Sequence, residues 1–300
     1  MTEKIKLTFL GTSGAIPTAK RNHTAILLTY NGENILVDCG EGTQRQFRKA
    51  RLNPCRLTRL LITHWHTDHI LGIPGLLKTL GLSGYNKKLS VYGPRKTKFF
   101  MKILLKLFRL EEDVSIEIKE VSGKFFEIND FYLEAELMTH GIPCNAYSFV
   151  KKEQIRIDKK KLRKSGLPHG PLIKRLKEGK NVTYRGKKYL AENLTFKEKE
   201  KKISFVLDTS INKKIAPFVK NSDILICEAS FGSELENKAR EYKHLTAKQA
   251  AEIAKKSNSK KLILTHVSQR YSRKPEKILN EAKKIFKNSS LAHDLEVIEI

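Results

Sequence analysis

Between Leu61 and Gly72 the chain reads LITHWHTDHILG, and three of its nine histidines fall within six positions, with an aspartate among them. His64 and His66 are two residues apart, so in extended backbone their rings leave the same face. Asp68 and His69 follow where the pattern turns helical. Such a loop can set two imidazoles around one cation and a carboxylate–imidazole pair around a second. Imidazole nitrogen with carboxylate oxygen suits zinc, manganese or iron being the alternatives. A chance gathering explains this density poorly. Protonating one ring makes protonating its neighbours costlier, unless a metal holds them neutral.

A pair of cations needs more ligands than one loop supplies. His140 follows the run FYLEAELMT, Asp208 follows KISFVL, and His266 follows KKLILT. Each ends a strand-like run, as His64 ends TRLLIT. Singly, each is an ordinary polar residue at a strand end; four such ends together favour a shared metal site. His244 heads the helical stretch HLTAKQAAEIAKKS, and Glu228 is a carboxylate on the otherwise apolar DILICEASF. By themselves these read as a histidine at a helix start and a strand-end carboxylate facing water.

Elements must bring these residues together, and strands alternate with helices along the chain. KIKLTFLG is a strand ending in a Gly-rich loop, and HTAILLTY and ENILVDCG form a hairpin across Asn31-Gly32. GTQRQFRKARL, GIPGLLKTLGLSGYN and residues 95–111 read as helices. SIEIKEV, KFFEIND, KISFVLDTS, DILICEASF, KKLILTHVS and DLEVIEI read as strands, and RKPEKILNEAKKIF as a late helix. Strand-rich runs in each half predict an α/β sandwich with sheets inside and helices outside. No repeat occurs at solenoid periods.

The chain has 300 residues with 40% hydrophobic content, ample for a core. No segment approaches the roughly 20 apolar residues that span a bilayer. MTEKIKLTFLGTSG lacks the apolar centre and cleavage site of a signal peptide and reads as a first strand. Four scattered cysteines without a CxxC pair predict reduced thiols in a cytoplasmic protein. Fifty-eight Lys and Arg against 32 Asp and Glu give +26, which draws polyanions, nucleic acid first and anionic membrane second. Residues 151–202 alone hold 19 basic and 6 acidic side chains, a net of +13. Here DKKKLRKSG and PLIKRLKEGK are short helices ending at Gly, and VTYRGKKYL is a small hairpin. With small apolar faces (Leu162; Leu172, Ile173, Leu176), the segment is expected to project from the core. Lysines that neutralise phosphates there would make affinity fall steeply with salt.

HWHTDH fits the HxHxDH motif of the metallo-β-lactamase superfamily, and His140, Asp208 and His266 follow in that superfamily's ligand order. More narrowly, the chain resembles the ribonuclease Z family in its short form, nearly end to end. The resemblance runs through FLGTSGAIPTAKRN, ILVDCGEGTQRQ, THWHTDHILGIPGLL, GLPHGPLIKRLKEG, FVLDTS, ILICEASF, HLTAKQAAEIA and LTHVSQRYS. GEGTQRQ, the basic insert, HLTAKQAAEIA and HVSQRY are its most specific parts.

This resemblance implies an α/β fold, the metallo-β-lactamase αβ/βα sandwich with two mixed β-sheets inside and helices outside. Residues 1–300 would form a single domain, and 151–202 an inserted basic tRNA-binding arm. The implied activity is a zinc-dependent endoribonuclease that removes the 3′ trailer of precursor tRNA, leaving a 3′-hydroxyl. Two Zn2+ ions per subunit are implied, with Mn2+ the alternative. His64, His66 and His140 would hold one ion, and Asp68, His69 and His266 the other, with Asp208 bridging. Such an ion pair can activate water and stabilise both oxygens of an in-line displacement. Asp68 would also take the proton of the attacking water. His244 would protonate the leaving 3′ oxygen, and Glu228 would orient His244 and raise its pKa.

Gly170, Pro171, Lys174 and Arg175 would belong to the arm's grip on the tRNA elbow, reading shape more than bases, and Arg270 in HVSQRY would contact substrate. The resemblance also implies a cytoplasmic homodimer, one subunit's arm serving its partner's site, with no membrane association. The sequence departs from the family at Thr67, usually Gly, at Cys227, often His, and at Lys20, displaced by one in the PxKxRN loop. The rival readings are a hydrolase of small esters or phosphodiesters on the same fold, and a non-catalytic RNA-binding protein. The charge of the insert argues against the first, and the complete ligand set against the second.

Overall fold

A computed structural model describes residues 4–110 and 112–300. Two seven-stranded sheets face each other. The first runs, in spatial order, Val297–Glu299, Lys6–Gly11, Ala25–Tyr30, Glu33–Val37, Arg59–Leu61, Leu89–Gly93 and Ile116–Glu120. Its pairings are antiparallel up to Glu33–Val37 and parallel beyond. The second runs Ser289–Leu291, Leu262–Thr265, Ile224–Glu228, Lys201–Val206, Cys144–Lys151, Phe131–Met138 and Gly123–Glu127. It is parallel across its first four strands and antiparallel across the rest. Both sheets are mixed, as expected of the sandwich.

Strand parity builds three apolar layers, because successive side chains point to opposite faces. Leu7 and Phe9, Ile26 and Leu28, Ile203 and Phe205, and Ile224 and Ile226 point inward and fill the space between the sheets. Their neighbours Leu10, Leu27, Val206 and Leu225 point outward to the helices. Helix Gly72–Leu82 presents Ile73, Leu76, Leu77 and Leu80 to the first sheet, at the spacing of one helical face. Helix Ala247–Lys256 presents Ala247, Ala250, Ala251 and Ala254 to the second.

Several parallel strands discharge their C-terminal ends at one edge of the sandwich. Asp38 follows Glu33–Val37, Asp208 lies just past Lys201–Val206, and His266 follows Leu262–Thr265. Sites in open α/β sheets form at such ends, where the loops converge.

The basic segment has small sheets and an apolar cluster of its own. Gln154–Ile157 and Thr195–Glu198 pair as an antiparallel ribbon at its root. Beyond them lie helices Lys159–Ser165 and Pro171–Lys177 and the hairpin Val182–Tyr184 with Lys187–Tyr189. Asp158 caps the first helix by accepting from the amides of Lys160 and Lys161, both at 3.0 Å, and Gly166 ends it at φ 73°. Leu162 and Leu176 are buried there, as their helical spacing suggests, and the cluster is completed by Leu167, Val182, Tyr189 and Leu194. So the arm has a small core that the two short helices alone did not reveal. Its ends, Lys151 with Lys201 and Val150 with Lys202, are paired inside the second sheet. The four cysteines are free thiols. Among the described residues no helix is long and apolar enough to cross a membrane.

Candidate metal centre

The seven residues singled out as ligands converge. His64 Nε2 lies 3.0 Å from His66 Nδ1, and His140 Nε2 lies 3.2 Å from that same nitrogen. Asp208 Oδ2 is 3.5 Å from His64 Nε2 and 4.0 Å from His140 Nε2. On its other side, Asp208 Oδ2 is 3.4 Å from His69 Nε2, and its Oδ1 is 3.1 Å from His266 Nε2. Asp68 Oδ2 is 3.3 Å from both of those ring nitrogens. Two groups of donors therefore share one buried carboxylate: His64, His66 and His140, and Asp68, His69 and His266.

The hydrogen bonds fix which ring nitrogen faces inward. Asp38 is a carboxylate and only accepts, so His69 Nδ1 donates to it at 2.6 Å. The Thr63 hydroxyl gives its proton to Asp38 at 2.7 Å, so it accepts from His64 Nδ1 at 3.0 Å. The carbonyl of Lys243 accepts from His140 Nδ1 at 3.0 Å. Ser230 gives its proton to Glu228 at 2.7 Å and accepts from His266 Nδ1 at 2.9 Å. Four imidazoles thus hold a proton on the outward nitrogen and turn Nε2 to the centre, where its lone pair serves a cation once that nitrogen carries no proton. Lone pairs do not approach one another without something positive between them. Asp208 Oδ1, 3.1 Å from His266 Nε2, is buried and receives no hydrogen bond, as a group awaiting a cation would be. These are the marks of a site for cations, with outer partners fixing the ligand tautomers.

The titration behaviour follows. Burial, reinforced by His69, holds His64 well below the usual histidine range. Burial and the neighbouring imidazoles also lower His66. Burial lowers His140 although Asp208 opposes it. These three are neutral ligands at neutral pH. Burial would raise Asp68, but hydrogen bonds from His266 and His69 hold it far below the carboxylate range. Asp208 is likewise ionised, the neighbouring histidines outweighing its burial. His69 goes the other way. Burial opposes its protonation, yet Asp208 and Asp38 raise it well above its ordinary value. A cation bound at Nε2 would compete with that proton.

Glu228 does not face water. It is fully buried, accepting from the Thr209 amide at 2.7 Å and from His244 Nδ1 at 3.0 Å. Burial alone would lower His244, but Glu228 and Asp208 raise it to about 9. Its Nδ1 is engaged, which leaves Nε2 as the free nitrogen on a cleft of about 410 Å3. The rings of His140 and His266 each lie 5.4 Å from that of His244.

Of the residues expected to contact substrate, Arg270 is exposed and lines this cleft. Gly170, Pro171, Lys174 and Arg175 are exposed on the arm and are not part of the cleft wall. Sequence reasoning passed over Asp38, Thr63 and Ser230, which orient the ligands. Asp38 carried a readable signal, since it too ends an apolar strand. It and His266 adopt φ of 57° and 56°, a left-handed conformation that non-glycine residues take rarely and that clusters at functional sites. Thr67 simply opens the helical turn Thr67–Ile70 and needs no glycine. Cys227 is buried in the outer apolar layer, facing away from Glu228's side of the strand.

The family model described as anti-Pycsar protein Apyc1 matches residues 5–134. Ribonuclease Z of Archaeoglobus fulgidus is 37% identical over 300 residues, covering 98% of this chain and 97% of the relative. Ribonuclease Z of Bacillus cereus (strain G9842) is 38% identical over 302 residues, covering 97% of this chain and 98% of the relative. The crystal structure of human tRNase Z, short form, superposes with a TM-score of 0.71 at 28% identity, covering 98% of both chains. A metallo-β-lactamase fold protein of Bacillus subtilis gives 0.73 at 18% identity over the whole of both chains, a likeness of fold.

Proposed function

The chain belongs to the ribonuclease Z family, the endoribonucleases that process tRNA 3′ ends, and from that premise we propose how its own residues divide the work. The metals we assign are two zinc ions, with manganese the alternative. His64, His66 and His140 would hold one, Asp68, His69 and His266 the other, with Asp208 shared between them. When bound, the ions lower the pKa of water and stabilise charge on the phosphoryl oxygens. The observation that carries the assignment is the outward anchoring of four Nδ1 atoms, which turns four Nε2 atoms toward Asp208.

Asp68 directs Oδ2 at His69 and His266, so its other oxygen is free to orient a water and take its proton. His244, protonated because Glu228 and Asp208 hold its pKa up, gives its Nε2 proton to the departing 3′ oxygen. Glu228 keeps that ring turned and charged. The products are a tRNA with a 3′-hydroxyl and a trailer with a 5′-phosphate. Arg270 meets the RNA at the cleft. The inserted arm of the single domain, residues 151–202, holds the tRNA through exposed charge that includes Lys174 and Arg175, with Gly170 and Pro171 starting the helix that bears them. A cytoplasmic homodimer, each arm serving its partner's cleft, completes the reading.

The test is incubation of the purified protein with a trailer-bearing precursor tRNA, with and without a chelator, followed by mapping of both ends. Cleavage at the trailer junction that the chelator abolishes is expected. No cleavage with any divalent metal supplied would overturn the assignment. The Apyc1 family match covers only residues 5–134, whereas the ribonuclease Z relatives align through the arm as well.

A further inference from the structure

The cleft has two unlike halves. One is the polar nest of histidines and carboxylates. The other contains Ile16, Phe231, Tyr242 and Arg270, none of which belongs to the candidate ligand groups. The Phe231 and Tyr242 rings lie nearly parallel, 10° apart in plane, with centroids 6.4 Å apart. The Arg270 guanidinium carbon stands 5.6 Å from the Phe231 centroid. Phe231 is 4% exposed and fixed by its own backbone, its carbonyl accepting from the Ala247 amide at 2.9 Å. Tyr242 is 54% exposed, a large ring left in water at the mouth of a catalytic cleft. Ile16, 53% exposed, adds apolar surface to the same half.

Flat aromatic surface beside a guanidinium is what a nucleobase stacks on, and such stacking is sequence-tolerant because every base has a π-face. Position along the RNA follows from connectivity. Tyr242 ends helix Glu236–Tyr242, and the chain passes through Lys243 in a left-handed turn, at φ 59°, directly to His244. Phe231 lies three residues past Glu228, and its ring is 6.0 Å from that of His244. The aromatic pair is therefore built onto the dyad that serves the leaving oxygen. That oxygen belongs to the ribose of the nucleotide on the tRNA side of the cut.

We propose that Tyr242 and Arg270, backed by the buried Phe231 ring, form a stacking seat for the base of the last nucleotide retained by the tRNA, whichever base it is. This rests on His244 acting at the leaving oxygen. The seat would fix the cut relative to that nucleotide while leaving its identity unread.

The experiment uses the full chain and two modified precursor tRNAs. One lacks the base of the last tRNA nucleotide, and the other lacks the base of the first trailer nucleotide. Single-turnover cleavage is compared for the wild type, Tyr242→Ala and Tyr242→Phe. The wild type should lose about tenfold or more on the first substrate, and little on the second. Tyr242→Ala should lose a similar factor on intact precursor and become indifferent to the missing tRNA-side base, while Tyr242→Phe should behave as wild type. A wild-type loss confined to the trailer-side substrate would overturn the proposal. So would a Tyr242→Ala enzyme as sensitive to the tRNA-side abasic site as the wild type. His244→Ala, assayed in parallel, separates the two ideas. If it cleaves at the wild-type rate, the acid assignment falls. If it is impaired while Tyr242→Ala keeps the wild-type sensitivity, only the stacking seat falls.

Discussion

In the cleft, Asp38 accepts from the His69 ring, the Thr63 hydroxyl and the Thr63 amide at 2.6, 2.7 and 2.7 Å, so that one carboxylate holds two neighbouring elements. On the arm, Lys174 and Arg175 stand exposed on a seven-residue helix over a small apolar cluster. The contrast follows from what each region must do. A ligand displaced by a fraction of an ångström would no longer fit its ion, and four of the cleft imidazoles are held at their second nitrogen. Charge attracts phosphates over many ångströms, so the arm needs only basic side chains in roughly the right place. Losses in the cleft should therefore be steep and general. Losses on the arm should be graded, salt-dependent and confined to large substrates.

The largest effect should come from Asp208→Ala, which removes the one carboxylate shared by both donor groups. A rate loss of about a thousandfold or more is expected on precursor tRNA and on bis(p-nitrophenyl) phosphate alike, with metal content reduced. Retention of either activity would contradict a shared centre.

Next comes the dyad. His244→Ala should cost about a hundredfold or more on precursor tRNA, and much less on a p-nitrophenyl ester, whose leaving group needs no acid. The pH profile gives the sign. An acid must carry its proton, so activity falls as pH rises through the His244 pKa, which Glu228 and Asp208 raise to about 9. Removing the charge in Glu228→Gln should move that alkaline limb to lower pH. An unmoved limb would show that Glu228 does not govern the acid.

A milder loss should follow Asp38→Asn, which keeps the shape but substitutes an amide for the carboxylate that orders His69 and Thr63. Metal affinity should fall roughly ten- to a hundredfold, read by titration with zinc. An unchanged affinity would mean that the outer hydrogen bonds are dispensable.

The smallest effect belongs to the arm. Lys174→Glu with Arg175→Glu should weaken precursor binding about tenfold at low salt and flatten the salt dependence. Hydrolysis of a small diester, too short to reach the arm, is the control. If both substrates suffer equally, the functional separation of arm and cleft is wrong.

Much of the site was legible because strand-end ligands announce themselves. His140, Asp208 and His266 each follow an apolar run, and an apolar run that stops at a histidine or aspartate is an unusual local pattern. The ribbon of Gln154–Ile157 and Thr195–Glu198 was not legible, since its strands are short and charged and their hydrophobic alternation is weak. Strand Ser289–Leu291 escaped for a similar reason: three residues with two serines carry no period. Ser230 was invisible because a serine two residues past a strand-end carboxylate has no chemical signature until its hydroxyl is seen between Glu228 and His266.

The order of residues settled the donor types, their spacing in HWHTDH, the strand ends that carry the rest, and the concentration of positive charge between Lys151 and Lys202. Those properties are local, fixed by side-chain chemistry and backbone period. Tertiary packing decided which nitrogen of each imidazole faces inward, that Glu228 is buried against His244, and that His69 meets His266 across 197 positions of chain. A tautomer depends on a partner that may come from anywhere in the fold, and no partner is named by the residue that needs it.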